Sequence, residues 1–366
     1  MEMAKKRNIG IDLLRIVCML MVLTLHIIGP GGLLNSIKMF SAKYEIAWLF
    51  EILCYCAVDC YAIITGYVMC ESKVKISNII NLWMQVWVYS VVLTIGMMIM
   101  VPGSVGTKTL FYSLFPVTFN MWWYFSAYFG MFLFLPFINR WLENISKREL
   151  KKFIVIDIVI ICVFPVVMHS DPFLFNYGYS TIWLTLMYIL GAYIKKFVDL
   201  DKISKKKCLI AYFTINIFLW INKFVVDYII NSIIPGKREH GITFITYTSI
   251  FVVVSAVLMV IFFAKLQIKN NVLQKSIKAL SSVSFGVFLI HTHPSIWNII
   301  KGMIVSITTS STPMFVLKIV GTVLAIYVVC SFIDYLRLLL FKALKVKNLS
   351  IKIGNSIEHG IDKLVG

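Results

Sequence analysis

Ten apolar runs divide this chain, at roughly 9–29, 45–70, 77–101, 121–141, 153–168, 180–197, 208–233, 247–266, 280–299 and 314–336. Each is near the ~20 residues with which a helix crosses a ~30 Å hydrocarbon core, the fifth and sixth being a little short. Helices are required at that depth, because lipid offers no partner for an unpaired backbone amide. A soluble domain hides its apolar residues inside a polar shell. A chain that is 60% hydrophobic and 14% charged cannot supply that shell. The expected fold is therefore an all-α membrane protein, a bundle of about ten transmembrane helices in a lipid bilayer. No repeat, low-complexity stretch or long linker marks off a second globular domain. Residues 1–340 read as a single transmembrane domain and 341–366 as a short basic cytoplasmic tail.

Charge placement orients the bundle. A net charge of +18 would direct a soluble protein toward nucleic acid. With the N-terminus in the cytoplasm, however, 25 of the 35 Lys and Arg fall on that side. They lie in Lys5-Lys6-Arg7, in Lys73 and Lys75, and in four later clusters that end in the tail. The opposite loops hold Lys38, Lys43, Lys108, Lys237, Arg238 and Lys301. Ten spans with this alternation satisfy the positive-inside rule, so both termini are expected in the cytoplasm and no nucleic-acid partner is expected. The first run follows Lys5-Lys6-Arg7 and lacks a small-residue cleavage site, so it reads as a retained span. Cys54, Cys56 and Cys60 have no neighbouring His and no paired Cys-x-x-Cys spacing, so they read as core packing and no metal is expected.

A charge at bilayer depth is costly and is by default a functional hypothesis. Arg15 and His26 in the first run lie about 20° off one helical face and about 16 Å apart along the axis. Asp12 shares that face. The bland account is an Asp12–Arg15 interfacial pair and a hydrogen-bonded core histidine. Further polar groups lie in later runs: Glu51 and Asp59 in the second, Arg140 at the end of the fourth, and Lys223 with Asp227 in the seventh. His291 lies in the ninth, followed by His293 and Pro294. Lys223 and Asp227, spaced i,i+4, read as a structural pair. His26 and His291 both fall in the outer halves of their helices and can face one chamber. Trp122-Trp123-Tyr124 reads either as an interfacial aromatic belt or as a stacking platform for a sugar ring. The outer loop His169–Tyr179, which has no Lys or Arg, suits the same purpose.

Together these residues resemble the acyltransferase-3 family of bacterial integral membrane O-acyltransferases. Its opening Ile-Asp-x-x-Arg element, with a His eleven residues after the Arg, is matched by Ile11-Asp12-Leu-Leu-Arg15 and His26. The second-run element is partly kept in Val58 to Tyr67, where Asp59 stands for the usual Pro and Thr65 for the usual Ser. Trp123-Tyr124 stands for a Trp-Phe element, and Phe288-Leu-Ile-His291 echoes a Tyr-Leu-x-His element. The similarity spans residues ~8 to ~300. Where the family often carries Arg-x-x-Arg, thought to hold acyl-CoA phosphates, this chain has Asn78 and Asn81. Lys73 and Lys75 are the nearest basic substitutes.

The resemblance implies transfer of an acetyl or other acyl group from cytoplasmic acetyl-CoA to a hydroxyl of an extracytoplasmic glycan, teichoic acid or lipid-linked sugar. Acetyl-CoA enters as a substrate, and no permanently bound cofactor is expected. Arg15, with Lys73 and Lys75, would hold the donor. His26 would act as general base or as nucleophile, with Asp12, Arg15 and His291 completing the catalytic set. Asp59, Trp122, Trp123 and Tyr124 would meet the acceptor. A bacterial cell membrane is the expected location. The competing class is a transporter or flippase of a small solute or lipid-linked glycan. It is disfavoured by the lack of internal repeats and of matched Gly or Pro breaks. Neither acceptor identity nor oligomeric state is legible in the residues.

Overall fold

The computed structural model describes residues 7–165, 171, 173–236 and 244–366. Every regular element among them is helical. In chain order they are α1 Ile9–Ile28, α2 Leu33–Ser36, α3 Ala42–Cys54, α4 Ala57–Met69, α5 Ile76–Met100, α6 Thr107–Leu114, α7 Trp123–Asn144 and α8 Lys147–Asp157. A π-helical turn, Ile158–Val163, continues α8. There follow α9 Thr181–Phe197, α10 Lys205–Ile233, α11 Ile250–Ala264, α12 Asn271–His291, α13 Pro294–Ile304, α14 Thr312–Ala343 and α15 Val346–Val365.

Helix starts follow local chemistry. Asn8, Ser41, Ser180, Ser204 and Asn270 each accept a backbone N–H of the first turn of α1, α3, α9, α10 and α12. Ser146 and Glu149 form a reciprocal capping box at α8. Among the described residues, five stretches are long and apolar enough to cross a membrane: Ile9–Ser36, Ala42–Met69, Ile76–Met100, Lys205–Ile233 and Thr312–Ala343. Ile250–Ala264 is a shorter apolar helix.

Two runs are not single helices. The second breaks at Tyr55-Cys56 into α3 and α4. The ninth stops at His291, because Pro294 cannot donate to a continuing ladder and instead opens α13. The fifth run is described only to residue 165, and Lys5, Lys6, His169, Lys237 and Arg238 lie outside the described residues. Residues 341–366 are themselves helical. After Lys345, at φ 52°, α15 packs along α5 with Gly354 against Ser77.

Burial sorts the helices. The apolar window of Ile9–Ser36 is 67% buried inside the protein, against 22% for Lys205–Ile233 and 28% for Thr312–Ala343. α1 is thus the central post, packed against α3, α4, α11, α12 and α14. α5, α10 and α14 present Ile99, Phe218 and Phe332 outward. A soluble protein would not expose so much apolar surface, whereas a lipid-facing one must.

α4 and α9 meet at the tightest seam, where glycines let two backbones touch. A Cβ on Gly66 would stand 1.9 Å from the Tyr188 carbonyl oxygen, and one on Gly191 would stand 2.0 Å from that of Ile63. Gly66→Ala is expected to cost about 1–3 kcal/mol through this overpacking. Thermal unfolding in detergent checks it against Gly96→Ala, a control within α5 that meets no atom within 4 Å and should leave stability unchanged or raise it by up to about 1 kcal/mol.

Two buried cations away from the centre, Lys223 and Arg337, are paired. Lys223 lies 3.0 Å from Asp227 and 3.7 Å from Glu45, which agrees with the structural reading of that pair. Asp334 of α14 accepts from Arg337 twice, at 2.8 and 2.9 Å, and from Tyr89 and Gln85 of α5.

Candidate active site

A cavity of about 550 Å³ borders one face of α1, lined by Arg7 and Arg15 toward the start of the helix and by His26 and Pro30 toward its end. The 3.6-residue period alone brings Arg15 and His26 to one wall. Asn8 caps α1, and the preceding Arg7 folds back on Asp12, with Nε 2.5 Å from Oδ2 and Nη2 3.1 Å from Oδ1. Arg15 Nη1 donates to the same carboxylate at 2.8 Å. Asp12 is 1% exposed, whereas the Arg7 and Arg15 side chains are 53% and 30% exposed. One buried carboxylate therefore fixes two guanidiniums side by side and leaves a net positive charge facing the cavity. That arrangement suits a phosphate-bearing anion.

α12 lies along α1, and the histidines near the last turns of both helices meet. His26 Nδ1 is 2.8 Å from His291 Nε2, and His291 Nδ1 is 2.6 Å from the carbonyl oxygen of Val287. A carbonyl only accepts, so His291 Nδ1 carries the proton. In the neutral pair its Nε2 must then accept, and His26 Nδ1 donates. The remaining nitrogen, His26 Nε2, keeps a bare lone pair. Trp297 closes one side, its ring 5.8 Å from that of His26. This is a base oriented by a second imidazole, an arrangement suited to removing a hydroxyl proton or attacking an acyl carbon.

Aromatic rings wall the cavity beyond His26. Trp123 lies 4.5 Å from Tyr179 and 6.2 Å from Tyr247, and Tyr247 lies 5.0 Å from both Tyr55 and Tyr179. All four line the cavity together with Tyr124 and Glu51.

The family model for an acyltransferase domain matches residues 8–333 of the 366. The chain belongs to the acyltransferase-3 family. No curated protein and no solved structure matches it in the same comparisons. Family membership and the apolar helices make it a membrane acyltransferase.

In this acyltransferase-3 chain the candidate residues fall into two groups. Arg15, His26, Trp123 and Tyr124 line the cavity, and His291 and Asp12 stand directly behind His26 and Arg15. The others lie elsewhere. Trp122 is buried, donates its indole N–H to Thr292 and packs 5.9 Å from the His293 ring, away from the lining. Asp59 is buried against the Trp183 indole N–H at 2.9 Å and does not line the cavity. Lys73 and Lys75 are exposed in the α4–α5 connection and do not line it either. Of the outer loop, Asp171 and residues 173–179 are described, and Tyr179 is the one that reaches the cavity. Sequence reasoning missed Arg7 as a site residue, along with Tyr55 and Tyr247. Arg7 had a usable signal, standing five residues before Asp12 at the mouth of the helix.

Proposed function

We propose that the protein transfers an acetyl group from cytoplasmic acetyl-CoA to a hydroxyl of an extracytoplasmic glycan or cell-surface polymer, across a bacterial cell membrane. The observation that carries this reading is a single cavity with a guanidinium pair toward one end and an oriented imidazole toward the other. With ten spans and both termini in the cytoplasm, as the basic residues favour, the arginine end opens inward. The donor's phosphates then rest on Arg7 and Arg15. Its pantetheine arm, about five extended residues long or ~17 Å, matches the ~16 Å rise from Arg15 to His26. Lys73 and Lys75 add positive charge outside the mouth rather than contacts within it.

In the reaction His26 Nε2 takes the hydroxyl proton of the acceptor as its oxygen attacks the thioester carbonyl. The C–S bond breaks, and the thiolate of CoA receives that proton from the imidazolium, so charge and protons balance. In the two-step variant Nε2 itself carries the acetyl group between donor and acceptor. Asp12 is a positioning residue, acting through the two arginines.

Purified protein in proteoliposomes should move label from labelled acetyl-CoA onto a polysaccharide acceptor. Solute flux with no transfer of label would support the transporter class instead. Arg7→Gln is expected to raise KM for acetyl-CoA about tenfold while leaving kcat nearly unchanged, because the lost contact is to a part of the donor that does not react. Steady-state kinetics at varied acetyl-CoA check this.

A further inference from the structure

Helix α3 and the residue that caps its end carry one stripe of three aromatic side chains and one acidic one. Tyr44, Trp48, Glu51 and Tyr55 recur at i, i+4, i+7 and i+11, within about 30° of a single face. The first half of the stripe already holds an ammonium group. Lys223 Nζ sits 4.3 Å from the Tyr44 ring and 4.6 Å from the Trp48 ring, with Glu45 and Asp227 as its carboxylate partners. The second half reaches the cavity, where Glu51 and Tyr55 join Trp123, Tyr179 and Tyr247. Aromatic faces combined with a carboxylate are the chemistry that recognises an organic cation.

The two ends of the cavity therefore differ in their polar groups. Arginines line the donor end, and among the described residues Glu51 is the carboxylate lining the aromatic end. Glu51 also stands beside the reacting centre. An ideal Cβ on Gly29 would lie 3.2 Å from its Oε1, and Gly29 is three residues past His26, about 4.5 Å further along α1. That spacing fits a hydroxyl at His26 and a charged nitrogen at Glu51 within one sugar unit.

We propose that the acceptor is a sugar bearing a free ammonium group, held by Glu51 and the aromatic wall of Tyr55, Trp123 and Tyr247. This rests on the acyl-transfer reading above and names its acceptor class. The protonated amine has no lone pair with which to attack. It is held away from His26, so the hydroxyl of the same unit is acetylated and the product is an ester.

The test is binding to the full-length protein in nanodiscs, measured by titration calorimetry, with two probes: a glucosamine tetrasaccharide and its fully N-acetylated counterpart. The glucosamine form is expected to bind about tenfold tighter or more, and Glu51→Gln, nearly isosteric, should erase that preference. Trp123→Leu should weaken the glucosamine form alone, and tetramethylammonium should compete with it. Equal affinity for the two probes, no binding of either, or an undiminished preference in Glu51→Gln overturns the inference. Acyl transfer is read separately. If label moves to uncharged polymers without preference, the acceptor class falls and acyl transfer stands. If the ammonium preference holds but acetyl-CoA is never consumed, the acyl-transfer reading falls.

Discussion

Alanine at His26 is expected to lower acyl transfer by about 10³-fold, while the protein still reaches the membrane at normal abundance. The imidazole lines the cavity and its Nε2 is the one nitrogen of the pair whose lone pair is not engaged within it, so His291 cannot replace it. His291→Ala should be milder, about 10–100-fold, because it frees the His26 tautomer without removing the base. His291→Gln, whose amide oxygen can accept from His26 Nδ1, should recover part of that loss. The measurement is cell-surface ester content, with immunoblotting of membranes as control. Full acetylation with His26→Ala would remove the imidazole from the mechanism.

The second large effect concerns folding. Arg337→Leu should destabilise the protein by about 3–5 kcal/mol, because it strands the Asp334 carboxylate in a place where no solvent reaches. Gln85 and Tyr89 remain as donors but carry no charge. The double variant Asp334→Leu with Arg337→Leu should be far less damaging, since neither charge is then left alone. Thermal unfolding in detergent would show the order: wild type, then the double variant, then Arg337→Leu. Equal loss in both variants would mean that the helix seam itself, not the ion pair, sets the stability.

Much of this was legible along single helices. Hydropathy found the helical segments, and the 3.6-residue period placed Asp12, Arg15 and His26 on one face before any fold was known. The Lys223–Asp227 pair was legible for the same reason. Contacts between helices were not. His26 and His291 are separated by 265 residues, and only the parallel packing of α1 on α12 makes them one unit. Trp122 and Trp123 looked equivalent in sequence. Trp122, however, precedes α7 with extended backbone, φ −130° and ψ 99°, so its side chain leaves the face that Trp123 shares with the cavity. Tyr247 comes from a short connection before α11, where no period exists to show its direction. Asp334 and Arg337 did carry a signal, an i,i+3 acid–base pair within α14. It was obscured because Arg337 also serves the count of charges on the inner side.

The proton order in the histidine pair rests on the carbonyl oxygen of Val287, a backbone atom within α12. Where the proton order of such a pair rests on a side-chain acceptor, a single codon change can remove it. Here the orienting acceptor is present whichever amino acid occupies position 287. Substitutions there can alter packing, but they cannot delete the acceptor that fixes the proton on His291 Nδ1. On the acyl-transfer reading, the proton order of the pair is thereby shielded from mutational drift at its Val287 link, and the constraint on that order falls on the His26 and His291 side chains.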